Sequence, residues 1–106
     1  MEEGLKFDNG KPQFRLIPQY SLEEVAKVMT YGALKYSPDN WKYVPDAYNR
    51  YIDAALRHIN KDLQNEHLDL ESNLEHLAHA VSSLLMAMEV RHLNNPVHFN
   101  SDEIPF

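Results

Sequence analysis

Three carboxylates and two histidines crowd the segment Asp69-Leu-Glu-Ser-Asn-Leu-Glu-His-Leu-Ala-His79, at the opening of a long apolar run. Mostly buried helices seldom carry so many titratable groups, so a ligand, a metal or a partner is expected there. On a helix, His76 and His79 lie three residues apart and Glu75 and His79 four apart, spacings that put side chains on one face. Negative groups also suit the positive end of a helix dipole, which accounts well for Glu75 and poorly for Asp69. Clustered carboxylates are hard oxygen donors that suit Mg2+ or Mn2+ better than Zn2+. Imidazoles add groups that exchange protons near neutral pH.

Basic residues supply the complementary charge. Arg50, Ala54, Arg57 and Lys61 recur along one helical face, with Asp53 three residues after Arg50 and four before Arg57. Two readings are open: an intrahelical ion-pair ladder worth roughly 0.2–0.5 kcal/mol per pair, or a clamp whose planar guanidinium forks match phosphate oxygens. Of the six histidines, His67, His92 and His98 fall in loops or near helix ends and are read as solvated, whereas His58, His76 and His79 sit on mostly apolar helices. Several known signatures are absent. Glu75-His-Leu-Ala-His79 is neither the His-Glu-x-x-His of zincins nor the Glu-x-x-His of di-iron bundles. No His-Asp pair, Gly-x-Ser-x-Gly elbow, phosphate loop or dinucleotide fingerprint occurs.

Three helices must position these groups. Residues 1–20 hold two of the three glycines, with turn chemistry at Asn9-Gly10, and read as an ordered arm at best. A helix over 21–37 is expected to open on a Ser21–Glu24 capping box and to stop at Pro38, with Leu22, Val25, Ala26, Met29, Ala33 and Tyr36 as its buried stripe. Gly32 inside it costs about 1 kcal/mol relative to Ala, which points to tight helix packing or to a ligand approaching closely. After a loop carrying the only tryptophan, Trp41, a second helix over 46–64 buries Tyr48, Tyr51, Ile52, Ala55, Ile59 and Leu63. The third helix, 72–91, is expected to open on a Ser72–Glu75 capping box. It shows one stripe of large residues from Leu74 to Met88 and a second of small ones, Ala80, Ser83, Ala87 and Val90. Two apolar faces require two neighbours, and the small one admits another helix closely, including one from a second subunit. The tail, 92–106, is frayed or laid on a neighbouring subunit through Phe99, Ile104 and Phe106.

The fold class is therefore all-α: three main helices with an irregular arm and tail, forming a bundle completed by oligomerisation. With 106 residues and 43% hydrophobic content, the chain suits a single domain to whose core a partner subunit contributes. Ten Lys and Arg against sixteen acids give a net charge of −6, which argues against a nucleic-acid surface. Absence of cysteine excludes disulfides and thiolate zinc sites. The start Met1-Glu-Glu-Gly is neither basic nor apolar, and no apolar run reaches the roughly 18 residues of a span. A soluble cytoplasmic protein with no membrane partner is expected.

Lys6-Phe-Asp-Asn-Gly-Lys-Pro12, Leu16-Ile-Pro18, Leu22-Glu-Glu-Val-Ala26, Tyr31-Gly-Ala-Leu-Lys-Tyr36, Asn40-Trp41, Leu56-Arg-His58, Asp69-Leu-Glu-Ser72 and His76-Leu-Ala-His-Ala80 follow in fixed order. Together they resemble the small phage-encoded family of dATP/dGTP diphosphohydrolase N-terminal domains, over residues 5–90. The resemblance implies a relation to all-α MazG-like pyrophosphatases, oligomers that use magnesium to split a nucleoside triphosphate into monophosphate and pyrophosphate. Those enzymes carry Glu-x-x-Glu on one helix and Glu-x-x-Asp on the next. Here Asp53 and Arg57 stand where a paired acid is expected, and Glu75-His-Leu-Ala-His79 looks like Glu-Glu-Leu-Ala-Asp with two acids replaced by histidine.

By that resemblance Asp69, Glu71 and Glu75 are the expected ligands of Mg2+ or Mn2+, and Glu71, Glu75 and His79 the catalytic groups. Lys11, Lys35, Arg50 and Arg57 would engage the substrate's charge, Tyr36 and Trp41 its base, with His58 and His76 alongside. The expected partner is a small-molecule nucleotide, and for a viral protein the setting is the host cytoplasm. An alternative is a non-catalytic protein that sequesters a nucleotide or cyclic-nucleotide signal of the host. A third is a helical oligomer whose histidines are structural.

Overall fold

The computed structural model describes residues 3–95, and these form an all-α arrangement with no strand among them. Three helices dominate: α1, Gln19–Lys35; α2, Ala47–Leu63; and α3, His76–Asn94. Single 3-10 turns at Phe14–Leu16 and Asn40–Tyr43 precede α1 and α2. In the arm, the Asn9-Gly10 turn forms as expected, with Gly10 at φ 78° and the Lys11 amide donating to the Asp8 carbonyl at 3.1 Å.

The expected α1 start at Ser21 is corrected to Gln19. Pro18 ends the arm with φ −56°, and its carbonyl accepts the first helical bond from the Leu22 amide at 3.0 Å. A proline needs no amide partner at a helix start, so no Ser21–Glu24 box forms, and Glu24 pairs with Lys27 at 3.1 Å instead. At the far end α1 stops at Lys35, two residues short of expectation, because Pro38 disfavours helical backbone at Ser37. For α2 the expected limits hold to within a residue, with Asp46 turning into it at φ 53° and its carboxylate accepting from Asn49 Nδ2 at 3.1 Å.

Helix α3 begins at His76, four residues later than expected. Asn73 adopts φ 59°, which no helix tolerates, and Ser72 is engaged elsewhere. Residues 67–76 form a tight hairpin-like loop instead. The Asp69 amide donates to the Leu74 carbonyl and the Asn73 amide to the Asp69 carbonyl, each at 2.8 Å. The His76 amide reaches the His67 carbonyl at 2.8 Å, beside an isolated bridge between Leu68 and Glu75. At its other end α3 runs to Asn94, taking in the first residues of the expected tail; residues 96–106, with His98, Phe99, Ile104 and Phe106, lie outside the described residues.

Packing gives the small-residue stripe of α3 the close helix neighbour expected of it, and that neighbour is α2 of the same chain. His76, Ala80, Ser83, Ala87 and Val90 are buried, and this small-residue face admits α2, whose Ala47 and Ala55 are also buried. Ala78 packs on Val25 and Val28 of α1, flanked by Met29 and Leu74. The large residues Leu77, Val81, Leu84, Leu85 and Met88 are left 41–56% exposed. Tight packing does not explain Gly32, because a Cβ there would meet nothing within 4 Å. Gly32 lines a cavity instead. None of the described helices is long and apolar enough to cross a membrane.

Candidate functional site

The three helices, the Asn40–Tyr43 turn and the residue 67–76 loop surround a cavity of about 560 Å³, within the range of small-molecule sites. Each element contributes through its sequence position. On α1, Tyr31 and Lys35 are one turn apart and face inward, followed by Tyr36; Trp41 is brought in by the 3-10 turn, where the Tyr51 hydroxyl donates to its carbonyl at 3.2 Å. Arg50, Asp53, Arg57 and His58 come from α2, Asp69 and Glu71 from the loop, and His79 from α3.

The structure thus brings Lys35, Tyr36, Trp41, Arg50, Arg57, His58, Asp69, Glu71 and His79 to one cavity. Three other candidates stand apart. Lys11 is in the exposed arm. Glu75 precedes α3 in extended backbone, and its carboxylate accepts a bond from the Tyr20 hydroxyl at 3.2 Å, away from the cavity wall. His76 is 3% exposed and lies behind the wall, bonded to His58 and Glu66. Conversely, sequence reasoning does not mark Tyr31, Asp53, Glu66 or Ser72 as site residues. The Tyr31–Lys35 spacing is a signal that could find the first, whereas nothing in the spacing from Glu66 to His76 announces their pairing.

Ser72 is the hub of the loop. Its amide and hydroxyl both donate to Asp69 Oδ2, at 2.8 and 2.9 Å. The same hydroxyl oxygen accepts from the Leu74 amide at 3.2 Å and lies 2.7 Å from His79 Nε2. Because its one proton goes to Asp69, His79 must donate from Nε2, which leaves His79 Nδ1 as an acceptor. Burial pushes the Asp69 carboxyl up, but the two Ser72 hydrogen bonds and the neighbouring imidazoles outweigh it and hold it below the ordinary range. Glu71 is lowered by hydrogen bonds from Lys35, at 2.6 Å, and from Tyr31, while its bond raises Lys35 in turn.

The histidines form a second network. His58 Nδ1 lies 2.8 Å from His76 Nδ1, and His76 Nε2 lies 2.8 Å from Glu66 Oε2. Rings of His58 and His79 stack at 4.6 Å with an interplanar angle of 12°. Burial first, then repulsion from His79 and His76, lowers His58 to about 4; burial also lowers His79, against the pull of Asp69. Both rings are therefore neutral at pH 7. His67 and His92 are exposed, as expected, although His67 Nδ1 meets Asp62 at 2.7 Å.

The ion-pair ladder proposed for α2 does not form: among the described residues no bridge within 4.0 Å joins Asp53 to Arg50 or Arg57. Arg50 Nη1 makes only a long 3.4 Å bond to the Pro45 carbonyl. The cavity therefore presents cationic forks, carboxylates, neutral imidazoles and aromatic faces together, an arrangement suited to a polyanion with an attached ring.

No curated protein and no solved structure matches the chain. A family model does: the one described as dATP/dGTP diphosphohydrolase, N-terminal, aligns with residues 1–98. That match takes in every element that builds the cavity, and the chain belongs to the dATP/dGTP diphosphohydrolase N-terminal family.

Proposed function

We propose that the cavity binds a deoxypurine nucleoside triphosphate and hydrolyses it to the monophosphate and pyrophosphate. The observation that carries this reading is the convergence of Arg50 and Arg57 with Asp53, Asp69 and Glu71 on a single cavity that also exposes Tyr36 and Trp41. Guanidinium forks suit the phosphates and the aromatic faces suit a base. Lys35, paired with Glu71 and 5.2 Å from the centre of the Tyr36 ring, ties the anionic and aromatic walls together.

The donor set fits the divalent ion that the family's chemistry implies. Mg2+ is commonly held by one or two carboxylates together with substrate phosphates, and Asp69 and Glu71 are two such groups. Asp69 has its Oδ1 free of hydrogen bonds among the described residues. When bound there, Mg2+ or Mn2+ would screen the triphosphate and acidify a water molecule. His79, neutral and with Nδ1 open, is the group to accept a proton from the attacking water, held in its tautomer by Ser72. Arg57 and Arg50 neutralise charge as it moves toward the leaving pyrophosphate.

Incubation of the protein with Mg2+ or Mn2+ and a panel of ribo- and deoxynucleoside triphosphates tests this. Equal yields of dAMP or dGMP and pyrophosphate are expected. No turnover of any member, with one nucleotide retained intact through gel filtration, would replace hydrolysis by sequestration.

The same reading includes self-association. Among the described residues Ser82 is the largest side chain that is fully buried, and the other deeply buried residues are mainly alanines and valines. So thin a core is insufficient for a domain of this size, whereas Leu77, Val81, Leu84 and Met88 form a continuous apolar seam on α3, 41–56% exposed. A second copy covering that seam completes the bundle. Sedimentation is expected to give a multiple of the 12.4 kDa chain mass. The double variant Leu84→Glu/Met88→Glu should shift the mass to that of one chain; an unchanged multimer would discard this seam as the interface.

A further inference from the structure

Asp69 is within reach of the two bonded imidazoles, and these three groups together resemble a ligand set rather than a proton relay alone. One ligand atom each from His58, Asp69 and His76 lie within 4.8 Å of one another. The two Nδ1 atoms face each other at 2.8 Å. Nitrogens that share a divalent transition ion, each about 2.1 Å from it, sit about 3.0–3.4 Å apart. Opening this pair by half an ångström or so would therefore suffice.

The surroundings match such a site in two further respects. A carboxylate only accepts hydrogen bonds, so His76 must donate from Nε2 to Glu66, at 2.8 Å, which leaves the His76 Nδ1 lone pair aimed at His58. A ring nitrogen presented by a carboxylate on the opposite nitrogen is the usual setting of a metal-bound histidine. Asp69, held by two bonds from Ser72 through Oδ2, has Oδ1 open. His58 and Asp69 both line the cavity, so an ion has a route in, while His76, 3% exposed, closes the back.

We infer that His58, Asp69 and His76 form a two-histidine, one-carboxylate site for a divalent transition ion, with Glu66 orienting His76. The proton now between the two Nδ1 atoms moves to His58 Nε2 when the ion enters. Two imidazoles favour such ions over Mg2+, which prefers oxygen donors. The site rests on the reading of the cavity given above but assigns Asp69 Oδ1 to an ion shared with two imidazoles instead of to Mg2+ held with Glu71, and metal binding can be read directly, without any nucleotide being cut.

The test uses untagged, metal-stripped protein titrated with Co2+ alone, followed by its visible absorption, and with Zn2+ by calorimetry. One ion per chain is expected, with Mg2+ unable to displace it at comparable concentration. His58→Ala and Asp69→Ala should each weaken binding at least about 100-fold, and Glu66→Gln, which acts through His76, about 10–100-fold. His76 is deeply buried and its removal risks the fold, so the His58 and Asp69 variants are the decisive ones, with helix content checked by circular dichroism. Two results would overturn the site: no saturable Co2+ signal from folded wild-type protein, or a signal that survives in both variants. A protein that cuts no nucleotide yet binds Co2+ through these residues leaves the site standing and removes only the hydrolase reading.

Discussion

Asp69→Asn is expected to lower kcat about 10³-fold while leaving the fold intact. The substitution is nearly isosteric and retains an oxygen that can accept the Ser72 amide and hydroxyl, bonds of 2.8 and 2.9 Å in the wild type. What it removes is charge. Asp69 is the carboxylate whose Oδ1 faces no donor among the described residues, and it stands 3.8 Å from His79 Nε2. Losing it weakens any bound divalent ion and alters the field on the proton acceptor, and removal of one preorganised electrostatic group alone costs about 10²–10³-fold. Ser72→Ala separates the two contributions. It keeps the charge but frees both Asp69 and the His79 tautomer, so a smaller loss is expected, together with roughly 1–3 kcal/mol of stability from polar groups left unpaired. Steady-state pyrophosphate release and thermal melts followed by circular dichroism measure both. An Asp69→Asn enzyme within a few-fold of wild-type kcat would remove Asp69 from the chemistry.

The helices themselves are legible in the sequence because the apolar period of α2 and α3 is long and uninterrupted, and Pro38 ends α1 where a proline must. The beginnings of α1 and α3 are not. Ser21 and Ser72 each precede a glutamate by three residues, which is the capping-box pattern, yet neither caps a helix. At Ser21 a better start, Pro18, lies upstream. At Ser72 the hydroxyl is more strongly engaged by a half-buried carboxylate and an imidazole than it would be by a backbone amide. That single competition moves the start of α3 to His76, turns Glu75 outward to Tyr20, and pulls Asp69 and Glu71 in.

Composition of the cavity follows the same division. Residues spaced by helical turns, such as Lys35 with Tyr31 or Arg50 with Arg57, share a face by geometry that a sequence displays. His76 and Glu66 meet only because residues 67–76 fold back on themselves, which depends on the positive φ of Asn73 and on the bridge between Leu68 and Glu75. No period encodes such a return. The two α3 stripes are visible in the sequence, but which one faces α2 depends on how closely the helices approach, and small residues win because they bring the backbones together. The leucine stripe is left exposed.

Arg57→Ala is expected to lower kcat/KM about 10²–10³-fold, the range for loss of one donor aimed at developing charge. Three cations line the cavity wall, and they are not equivalent. Lys35 is held by Glu71 at 2.6 Å, and Arg50 leans on the Pro45 carbonyl at 3.4 Å. Arg57 has neither an ion pair nor a hydrogen bond among the described residues, although Asp53 lies one helical turn before it. An arginine kept uncommitted beside carboxylates is poised for an anion that arrives from solution. Arg57→Lys should recover only part of the loss, since the charge returns without the planar fork. The division between constants then identifies the step: a raised KM with unchanged kcat assigns Arg57 to ground-state phosphate binding, whereas equal losses in kcat and kcat/KM assign it to the transition state. Because the guanidinium is exposed, the wild-type advantage should also shrink as salt screens it, over a distance of about 10 Å at 0.1 M. Wild-type values of both constants in Arg57→Ala would return this residue to the solvated surface and leave the triphosphate without its principal fork.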